Sequence, residues 1–438
     1  MDVPDVRYAR AGGVAVAYQV VGEGTHELVF APHLCDLFSL WQVPYIRRFL
    51  DRLVEEVRLV TFNARGTGLS DRPRNVTLEA RMDDVSAVLD DMGLERAALF
   101  GVATGANACA LFAATYPERC DRLVMAGSYP RAVQSDSYPY GVSEEEHLAF
   151  MREVRERWGD RDFLESYFRN VEPALAGSDD DRRWSLWQHR LAVSPAAAVD
   201  FWRLNLETDI TEILGSIRVP TLVLHGERDR AVAEFVVERI RDVRKVELRA
   251  LAGSPYSWEA ADAILEFMRG EAETVIPSSV LATALFTDIV GSTERAAEVG
   301  DRAWRDLLTR HHADVRRELG RHNGEEVDSA GDGFFCRFDG PARAISCARR
   351  IIEDAAELGF DVRAGIHTGE CELVGEKLAG IAVVTGSRIS SLAARREVLV
   401  SSTVKDLVAG SGFSFEERGE HELKGVPGRW RLYAVADA

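Results

Sequence analysis

Two aspartates in the second half of the chain lie in sequence contexts that suit metal-dependent chemistry. Asp288 follows an apolar run in ALFTDIVGST, and Asp332 lies between two glycines in SAGDGFF. Two carboxylates on neighbouring strands, helped by the backbone beside Ile289, could clamp two divalent ions against a triphosphate. In-line attack of a ribose hydroxyl on the α-phosphate needs charge neutralisation on the attacking and leaving oxygens alike. These residues therefore favour metal-assisted chemistry on a nucleoside triphosphate.

A stretch in the first half, LFGVATGANA, has the spacing of a strand, sharp turn and helix that lift a catalytic side chain above a sheet. Gly101 and Gly105 occupy the two glycine positions of the pattern G-x-S-x-G, and Ala103 stands where the serine nucleophile belongs. Alanine carries no group that could attack a substrate. Because only small residues tolerate the backbone angles of such a turn, the glycines also have a purely structural explanation.

The elements that position these residues differ between the two halves. Up to about residue 267, helical segments alternate with short apolar strand segments: ELVFAPH, VRLVTFNARG, AALFG, RLVMAGS, PTLVLHGERD and VELRAL. This alternation predicts a mostly parallel sheet with helices on both faces. Between about 131 and 216 the sequence is helical, charged and rich in tryptophan, which predicts a helical cap over the sheet.

The segment EFMRGEAETVIPSS separates the halves, because its charges, proline and serines are typical of a linker. We place one domain at 1–270, the linker at 271–279 and a second domain at 280–438. The second domain again mixes helices with strand segments: ALFTDI, GFFCRF, VRAGIHTG, EVLVSS and RWRLYAV. No repeat relates the halves, so two unrelated folds are predicted.

The composition limits the classes of partner. The 438-residue chain can bury two cores, and its net charge of -18 disfavours nucleic acid and anionic membranes, since there is no basic excess to release counterions. Six scattered cysteines suit reduced thiols in a cytoplasm. The N-terminus has no apolar core of signal-peptide length, and the uncharged run 97–117 fits a buried strand and helix better than a membrane span. We therefore expect a cytoplasmic location.

The first half resembles the α/β-hydrolases in the segments NARGTGLSDRP, LFGVATGANA and LHGERDRAV. The resemblance covers 14 to about 267 and implies a doubly wound α/β sheet with a helical cap. In chain order, the triad positions for nucleophile, acid and base fall at Ala103, Asp229 and, in LAGSPYSW, Tyr256. Methyl and phenol groups supply neither a nucleophile nor a base at neutral pH, so we interpret the triad as degenerate.

Thr104, which follows Ala103, is an alternative nucleophile in a slipped register. Its backbone N–H is expected in the oxyanion hole, and the sequence offers no histidine base beside it, so residual hydrolysis is the less favoured interpretation. A capped cavity without this chemistry could still bind a small apolar ligand, as in hormone receptors that resemble these hydrolases. A docking scaffold is the alternative to such a sensor. Five tryptophans could line the cavity or simply pack: Trp41, Trp158, Trp184, Trp187 and Trp202.

The second half, from about 278 to 435, resembles the class III nucleotidyl cyclases. VRAGIHTGE and GIAVVTGSRISSLA follow the two aspartate segments at the expected separations. The resemblance implies a ferredoxin-like α+β domain with Mg or Mn, two ions per site, held by Asp288, Asp332 and the backbone of Ile289. The site in that family forms between two cyclase domains, so one copy per chain implies a homodimer. The joined halves resemble bacterial fusions of an α/β-hydrolase with such a cyclase.

The second face of the implied site departs from the family pattern. The base-reading lysine position holds Asp328, and the base-reading aspartate position holds Lys377. The residue that steadies the ribose is replaced by Val384. The transition-state arginine is kept as Arg388, and Lys424 in HELKGVPG matches the position that meets the terminal phosphates.

Two interpretations of the exchange between Asp328 and Lys377 stay open. In the first, Lys377 donates to adenine N1 and Asp328 accepts from the N6 amino group, which favours ATP and makes GTP the harder substrate. In the second, the two form an ordinary exposed ion pair, worth about 0 to 1 kcal/mol. Loss of a ribose contact at Val384 would cost on the order of 2 to 4 kcal/mol in the transition state, which predicts slow catalysis.

The sequence thus predicts conversion of ATP to cyclic AMP and pyrophosphate at a low rate, with the first half in a regulatory or ligand-sensing role. Two alternatives stay open: a pseudoenzyme that binds nucleotide or merely dimerises, and an α/β-hydrolase with non-standard catalytic residues. His311, His312 and His367 have no metal-ligand spacing, and we interpret them as structural.

Overall fold

The computed structural model of the protein describes residues 4–170, 179–249, 254–270, 279–374 and 377–436. The chain divides into two compact units, Met1–Pro277 and Ser278–Ala438. Positions 271–278 of the predicted linker lie outside the described residues.

The first unit is built on an eight-stranded sheet in the order β1-β2-β4-β3-β5-β6-β7-β8. The strands are β1 (Arg7–Ala11), β2 (Val14–Val21), β3 (His26–Ala31), β4 (Val57–Phe62), β5 (Ala97–Val102), β6 (Cys120–Ala126), β7 (Thr221–His225) and β8 (Val243–Glu247). The pairs β1–β2 and β2–β4 are antiparallel and the remaining pairs are parallel, as the alternation of strands and helices predicts.

Ten helices accompany this sheet in the described part of the unit. They are α1 (Leu37–Gln42), α2 (Pro44–Val54), α3 (Leu78–Asp91), α4 (Thr104–Thr115), α5 (Glu144–Arg157), α6 (Arg161–Asn170), α7 (Asp179–Ala192), α8 (Pro195–Glu207), α9 (Arg230–Val237) and α10 (Trp258–Arg269). The uncharged run 97–117 forms β5 and α4, which are buried except for the half-buried Thr104 at the start of α4, so this prediction is confirmed. Among the described residues, no helix combines the length and apolar character needed to cross a membrane.

Helices α5 to α8 lie between β6 and β7 in the chain and form the helical cap that the sequence predicts. The Ser143 side chain accepts from the Glu146 N–H while the Glu146 carboxylate accepts from the Ser143 N–H, a capping box that starts α5. The cap has its own apolar cluster, which includes Trp158, Phe163 and Trp202. It therefore has an apolar core distinct from the cluster around the sheet.

The second unit has another eight-stranded sheet, in which β13 pairs with β12 beside the path β10-β11-β9-β12-β14-β16-β15. The strands are β9 (Ser279–Ile289), β10 (Glu325–Ala330), β11 (Gly333–Phe338), β12 (Val362–Val374), β13 (Lys377–Ala379), β14 (Val398–Ser401), β15 (Phe415–Glu422) and β16 (Arg429–Val435). The helices are α11 (Ser292–Val299), α12 (Asp301–Arg321), α13 (Pro341–Glu357), α14 (Ile381–Leu392) and α15 (Ser402–Leu407). This mixed sheet with its helices is the predicted α+β fold.

Candidate functional site

The two candidate metal-binding aspartates lie side by side at one end of the second sheet. Asp288 is the penultimate residue of β9, and Asp332 lies in the tight turn between β10 and β11, which Gly331 makes with a φ of 65°. Thr287 pairs with Phe334, so Asp288 is brought next to the start of β11. A Cβ built on Gly333 would lie 3.9 Å from Asp288 Oδ1, which shows how closely the turn approaches this carboxylate.

The two carboxylates differ in their partners. Asp332 Oδ2 is buried and has no hydrogen-bond partner among the described residues. Asp288 Oδ2 accepts a hydrogen bond from Arg363 Nη2 at 2.6 Å and is otherwise half exposed. A buried carboxylate oxygen without a donor, beside a second carboxylate, fits a hard divalent cation. The described residues contain no cluster of three or more His, Cys, Asp or Glu side chains suited to a metal, so these two carboxylates are the candidate side-chain donors at this turn.

Ile289 ends β9 directly after Asp288. Its side chain is 3% exposed and packs in the apolar core of the second unit. The side chain is therefore structural, and only its backbone is available near the aspartates. The predicted help of that backbone in holding an ion stays a prediction.

Arg388 and Lys424 are neighbours in the structure. Arg388 lies on α14, and its Nε donates to the backbone carbonyl of Lys424 at 3.0 Å. The loop that carries Lys424 borders an open cleft of about 570 Å³. The predicted roles of Arg388 and Lys424 toward phosphates stay predictions.

The exposed side of α14 is unusually apolar. Ile381, Val384 and Leu392 are 53%, 38% and 47% exposed, and Arg388 lies on the same stripe of the helix. Positions three, four and seven residues apart share one face of a helix. Arg388 is thus presented from a surface whose neighbours favour burial against another protein surface.

The base-reading positions are only partly described. Asp328 lies on β10, where it is exposed and pairs in register with Phe335. Lys377 begins β13, and its side chain lies outside the described residues. A contact between Asp328 and Lys377 therefore stays a prediction.

The turn between β5 and α4 has the strained geometry expected of a nucleophile elbow. Ala103 adopts φ 50° and ψ −115°, a region that L-residues rarely occupy. A Cβ on Gly101 would lie 2.4 Å from the Ala106 Cα, and one on Gly105 would lie 2.1 Å from the carbonyl oxygen of Ala31. Both glycines are required by close backbone packing, so the structural explanation of the turn is confirmed.

The acid and base positions of the first unit have other partners. Asp229 accepts a hydrogen bond from the hydroxyl of Tyr129, where a catalytic histidine would stand in a working triad. Burial and the neighbouring carboxylate raise the pKa of Tyr129. Tyr256 is buried among the rings of Phe30, Tyr45 and Phe49. The three triad positions thus hold a methyl group, a bonded carboxylate and a core phenol.

The expectation that no histidine accompanies Thr104 is wrong. His33 Nδ1 lies 3.2 Å from Thr104 Oγ1, because β3 and β5 are parallel neighbours and the residues that follow them meet at one sheet edge. The signal in the sequence was the position of His33 just after the strand ELVFA, in the loop that supplies part of an oxyanion hole. Burial, with further effects of His189 and Arg81, lowers the pKa of His33 to about 3. His33 is therefore neutral and a weak base.

Three of the five tryptophans, Trp41, Trp158 and Trp202, are buried in apolar clusters, whereas Trp187 is 38% exposed. Trp41 donates to Gln19 and Trp158 to the carbonyl of Val193, while Trp202 belongs to the cap core. The cavity above the elbow measures about 10 Å³ and is lined by residues of α3, α4 and α8. None of the five tryptophans contributes to that wall.

The histidines of the second unit have structural surroundings. His367 Nδ1 lies 2.9 Å from Ser401 Oγ, and burial lowers its pKa to about 4. His311 packs against Phe334 and Phe360, and burial lowers its pKa to about 4 as well. His312 contacts the carbonyl of Gly331 at 3.1 Å, so it supports the turn that carries Asp332.

Comparison with known proteins identifies both units. Residues 35–252 match the family of the alpha/beta hydrolase fold, and residues 278–437 match the adenylate and guanylate cyclase catalytic domain. The AB hydrolase superfamily protein YisY of Bacillus subtilis is 30% identical over 207 residues, which cover 45% of this chain and 74% of that protein. The chain therefore belongs to the α/β-hydrolase family through its first unit and carries a class III cyclase domain in its second.

Two further similarities concern the first unit. The Karrikin insensitive 2 receptor IA of Petunia hybrida is 23% identical over 236 residues, which cover 51% of this chain and 81% of that protein. The solved esterase EaEST of Exiguobacterium antarcticum has a TM-score of 0.52 and 19% identity, covering 60% of this chain and 99% of that chain. The second similarity shows the fold alone.

Proposed function

We propose that the protein is a class III cyclase that converts ATP to cyclic AMP and pyrophosphate at a low rate. Its site lies at a homodimer interface, and the first unit has a regulatory or ligand-sensing role. The observation that carries the proposal is the pairing of Asp288 with Asp332, whose Oδ2 is buried without a partner. A buried carboxylate oxygen is costly to leave unmatched, and a bound cation satisfies it. The six buried free thiols support a reducing, cytoplasmic location.

The two aspartates would hold divalent ions, Mg or Mn, which supply charge neutralisation for the attacking and leaving oxygens. Arg363 fixes Asp288 by binding Oδ2, which leaves Oδ1 directed toward the turn of Gly333. The turn places Asp332 at the same sheet end. The Arg388 guanidinium would stabilise the charge that develops on the α-phosphate, and Lys424 would bind the terminal phosphates.

The contacts of Arg388 support the proposed homodimer. Its Nε donates to the carbonyl of Lys424, and no hydrogen bond joins it to Asp288 or Asp332 among the described residues. The exposed apolar residues of α14 around it favour contact with a second copy of the chain. A two-fold dimer would then bring the arginine face of one protomer to the aspartate face of its partner, twice.

The proposed substrate and the proposed low rate are argued from two positions at which the family pattern is replaced. An exposed carboxylate at Asp328 can accept from an adenine amino group, and guanine has a carbonyl there instead, so ATP is favoured. Val384 cannot hydrogen-bond a ribose, although it lies one helical turn before Arg388 on the same face. The rate is therefore proposed to be low rather than zero.

A mixing experiment tests the shared site. Asp332→Asn and Arg388→Ala are purified separately, each expected to be inactive, and then mixed in equal amounts. Half of the dimers become mixed, and each mixed dimer holds one intact site of two, so roughly a quarter of wild-type activity should return. Glu353→Gln, a surface change, serves as the active control. If two inactive variants of confirmed dimeric state recover nothing on mixing, the shared-site proposal is wrong.

Hydrolysis through Thr104 is the second candidate, because His33 lies within hydrogen-bond distance of its hydroxyl. The lowered pKa of His33 argues against it, since a base with a pKa near 3 removes little of the threonine proton at neutral pH. Hydrolysis of a chromogenic ester, followed by absorbance, tests this activity. Turnover that disappears in Thr104→Val but persists in Thr25→Val, at an exposed residue, would establish this activity.

A further inference from the structure

A buried arginine with an unpartnered guanidinium nitrogen lies beneath the cap of the first unit. Arg81, on α3, is 6% exposed, and its buried Nε has no hydrogen-bond partner among the described residues. Its guanidinium lies over the ring of Phe201 on α8, 4.9 Å from the ring centroid. This contact covers one face of the guanidinium, while the N–H donors at its edge stay available.

Two arginines, Arg81 and Arg65, lie near the single buried carboxylate of Asp84. Asp84, fully buried, is engaged by Arg65, whose backbone N–H donates at 2.8 Å and whose Nε donates at 2.7 Å. Asp84 and Arg65 are the charged groups that influence Arg81, so two guanidinium groups share one carboxylate. Burial lowers the pKa of Arg81 to about 10, which leaves it protonated at neutral pH. Arg65 thus takes the hydrogen bonds of the Asp84 carboxylate, and Arg81 makes none to it.

Arg81 forms part of the wall of the cavity above the elbow. The wall combines the guanidinium with the hydroxyl of Thr104, the side chain of Asn205 and apolar groups of Leu78, Phe201 and Leu204. The volume of about 10 Å³ is the room that one water-sized group needs. A larger ligand therefore requires a side chain of α8 to move.

Retaining such a charge is costly for stability. A buried ion without hydrogen bonds loses its hydration and gains little in return, and apolar replacement at such sites is often stabilising. A cation in this cavity is repelled by the protonated guanidinium of Arg81. An anion with planar oxygen acceptors matches the guanidinium edge, and the apolar wall suits a short hydrocarbon body.

We propose that the first unit binds a small monocarboxylic acid, with its carboxylate on Arg81 and Thr104 and its short apolar body between α3 and α8. The proposal rests on the ligand-sensing role proposed above for this unit, and it refines the apolar ligand expected from the sequence. The Arg81 guanidinium supplies N–H donors to the carboxylate, and the Thr104 hydroxyl supplies another in the tautomer in which His33 Nδ1 carries a proton and donates to Thr104 Oγ1. The ligand is then an acid and not a neutral hydrophobe.

The test compares propionate with propionamide, which has nearly the same shape and no charge. Calorimetry on the full chain, at constant ionic strength and without nucleotide, should show propionate binding at least about tenfold tighter than propionamide. Arg81→Gln should lose about tenfold or more of that binding, Arg81→Lys should keep part of it, and the exposed-residue variant Arg74→Gln should bind as wild type.

Folding is controlled separately. Arg81→Gln removes a buried unpaired charge, so its thermal unfolding without ligand should match or exceed that of wild type. Equal binding of propionate and propionamide, or wild-type binding by folded Arg81→Gln, would overturn the proposal. Chloride that competes as strongly as propionate would also overturn it, since the site would then take any small anion.

The binding readout needs no cyclase activity. Propionate binding in a protein that makes no cyclic nucleotide would leave this site standing and refute the proposed cyclase. Cyclic AMP formation in a protein that binds no propionate would support the proposed cyclase and refute the carboxylate site. A change in the rate of cyclic AMP formation on adding propionate, absent in Arg81→Gln, would support both the site and its sensing role.

Discussion

The elbow of the first unit and the aspartate turn of the second differ in what they keep. At Ala103 the backbone retains a strained turn, with a φ of 50°, while the side chain has no reactive group. At Asp288 and Asp332 the charged groups are kept, and one oxygen is held without a partner. The comparison teaches that backbone packing and side-chain chemistry are separate constraints, because a turn can persist for the fold after its reactive group is gone.

Burial acts in opposite ways at the two places. Around the elbow it keeps groups neutral, as shown by the low pKa of His33 and the raised pKa of Tyr129. At the aspartate turn it leaves a carboxylate oxygen without a hydrogen-bond donor among the described residues. This contrast agrees with the two proposals above, ligand binding by the first unit and metal-assisted chemistry in the second.

Replacing Asp332, one of the two proposed metal-binding aspartates, should have the largest effect on the difference between the two units. Asp332→Asn keeps the size of the side chain but loses the charge, so turnover should fall by roughly 10³-fold or more. The measurement is the initial rate of cyclic AMP formation in excess Mn. Asp301→Asn, at the exposed start of α12, should retain the wild-type rate. Activity that survives Asp332→Asn would place the chemistry elsewhere.

Arg388→Ala should lower the rate by about 10²- to 10³-fold, because the transition-state charge loses its donor. Arg388→Lys should recover only part of this loss, since a single ammonium cannot reproduce the guanidinium geometry. Steady-state kinetics separate kcat from KM. A change in KM alone would mean that Arg388 binds substrate in the ground state without assisting the reaction.

Val384→Asn should raise the rate, in contrast to the two losses above. A restored hydrogen bond to the ribose is worth on the order of 2 to 4 kcal/mol in the transition state, so the gain is roughly one and a half to three decades at most. Val384→Ala controls for the smaller side chain and should give no gain. A folded, dimeric Val384→Asn with unchanged rate would show that another step limits turnover.

The smallest effect concerns the elbow. Ala103→Gly relieves the strained φ and should stabilise the first unit by about 1 kcal/mol after the extra chain entropy of glycine is subtracted. Ala110→Gly, in the middle of α4, should destabilise it by about 1 kcal/mol or more. Chemical denaturation of both variants measures the difference. Equal destabilisation by both would mean that the Ala103 conformation carries no strain.

The sequence predicted what local spacing controls. The elbow, the two aspartates and the alternation of strands and helices depend on neighbours within about a dozen residues, and the structure has each of them. His33 was missed because Thr104 lies 71 residues away, and only the parallel pairing of β3 with β5 joins them. The hydroxyl of Tyr129 on Asp229 is a contact across 100 residues and was missed for the same reason.

Burial was the other quantity that the sequence did not supply. Arg81 is one charge on a helix with several acids, and its position under the cap becomes apparent only when α8 is placed over α3. The sequence left open whether the tryptophans line a cavity or pack, and the structure has Trp158 and Trp202 in the cap core. Which side chains fill a core depends on packing between elements that are distant in sequence.

The most direct test of the cyclase assignment is product analysis. Purified full-length protein is incubated with ATP and, separately, with GTP in excess Mn, and the products are separated by chromatography against cyclic nucleotide standards. The account predicts slow formation of cyclic AMP from ATP, less product from GTP, and none from ATP in Asp332→Asn. No cyclic product from either nucleotide, in a protein shown to be dimeric, would contradict it and leave a pseudoenzyme in both units.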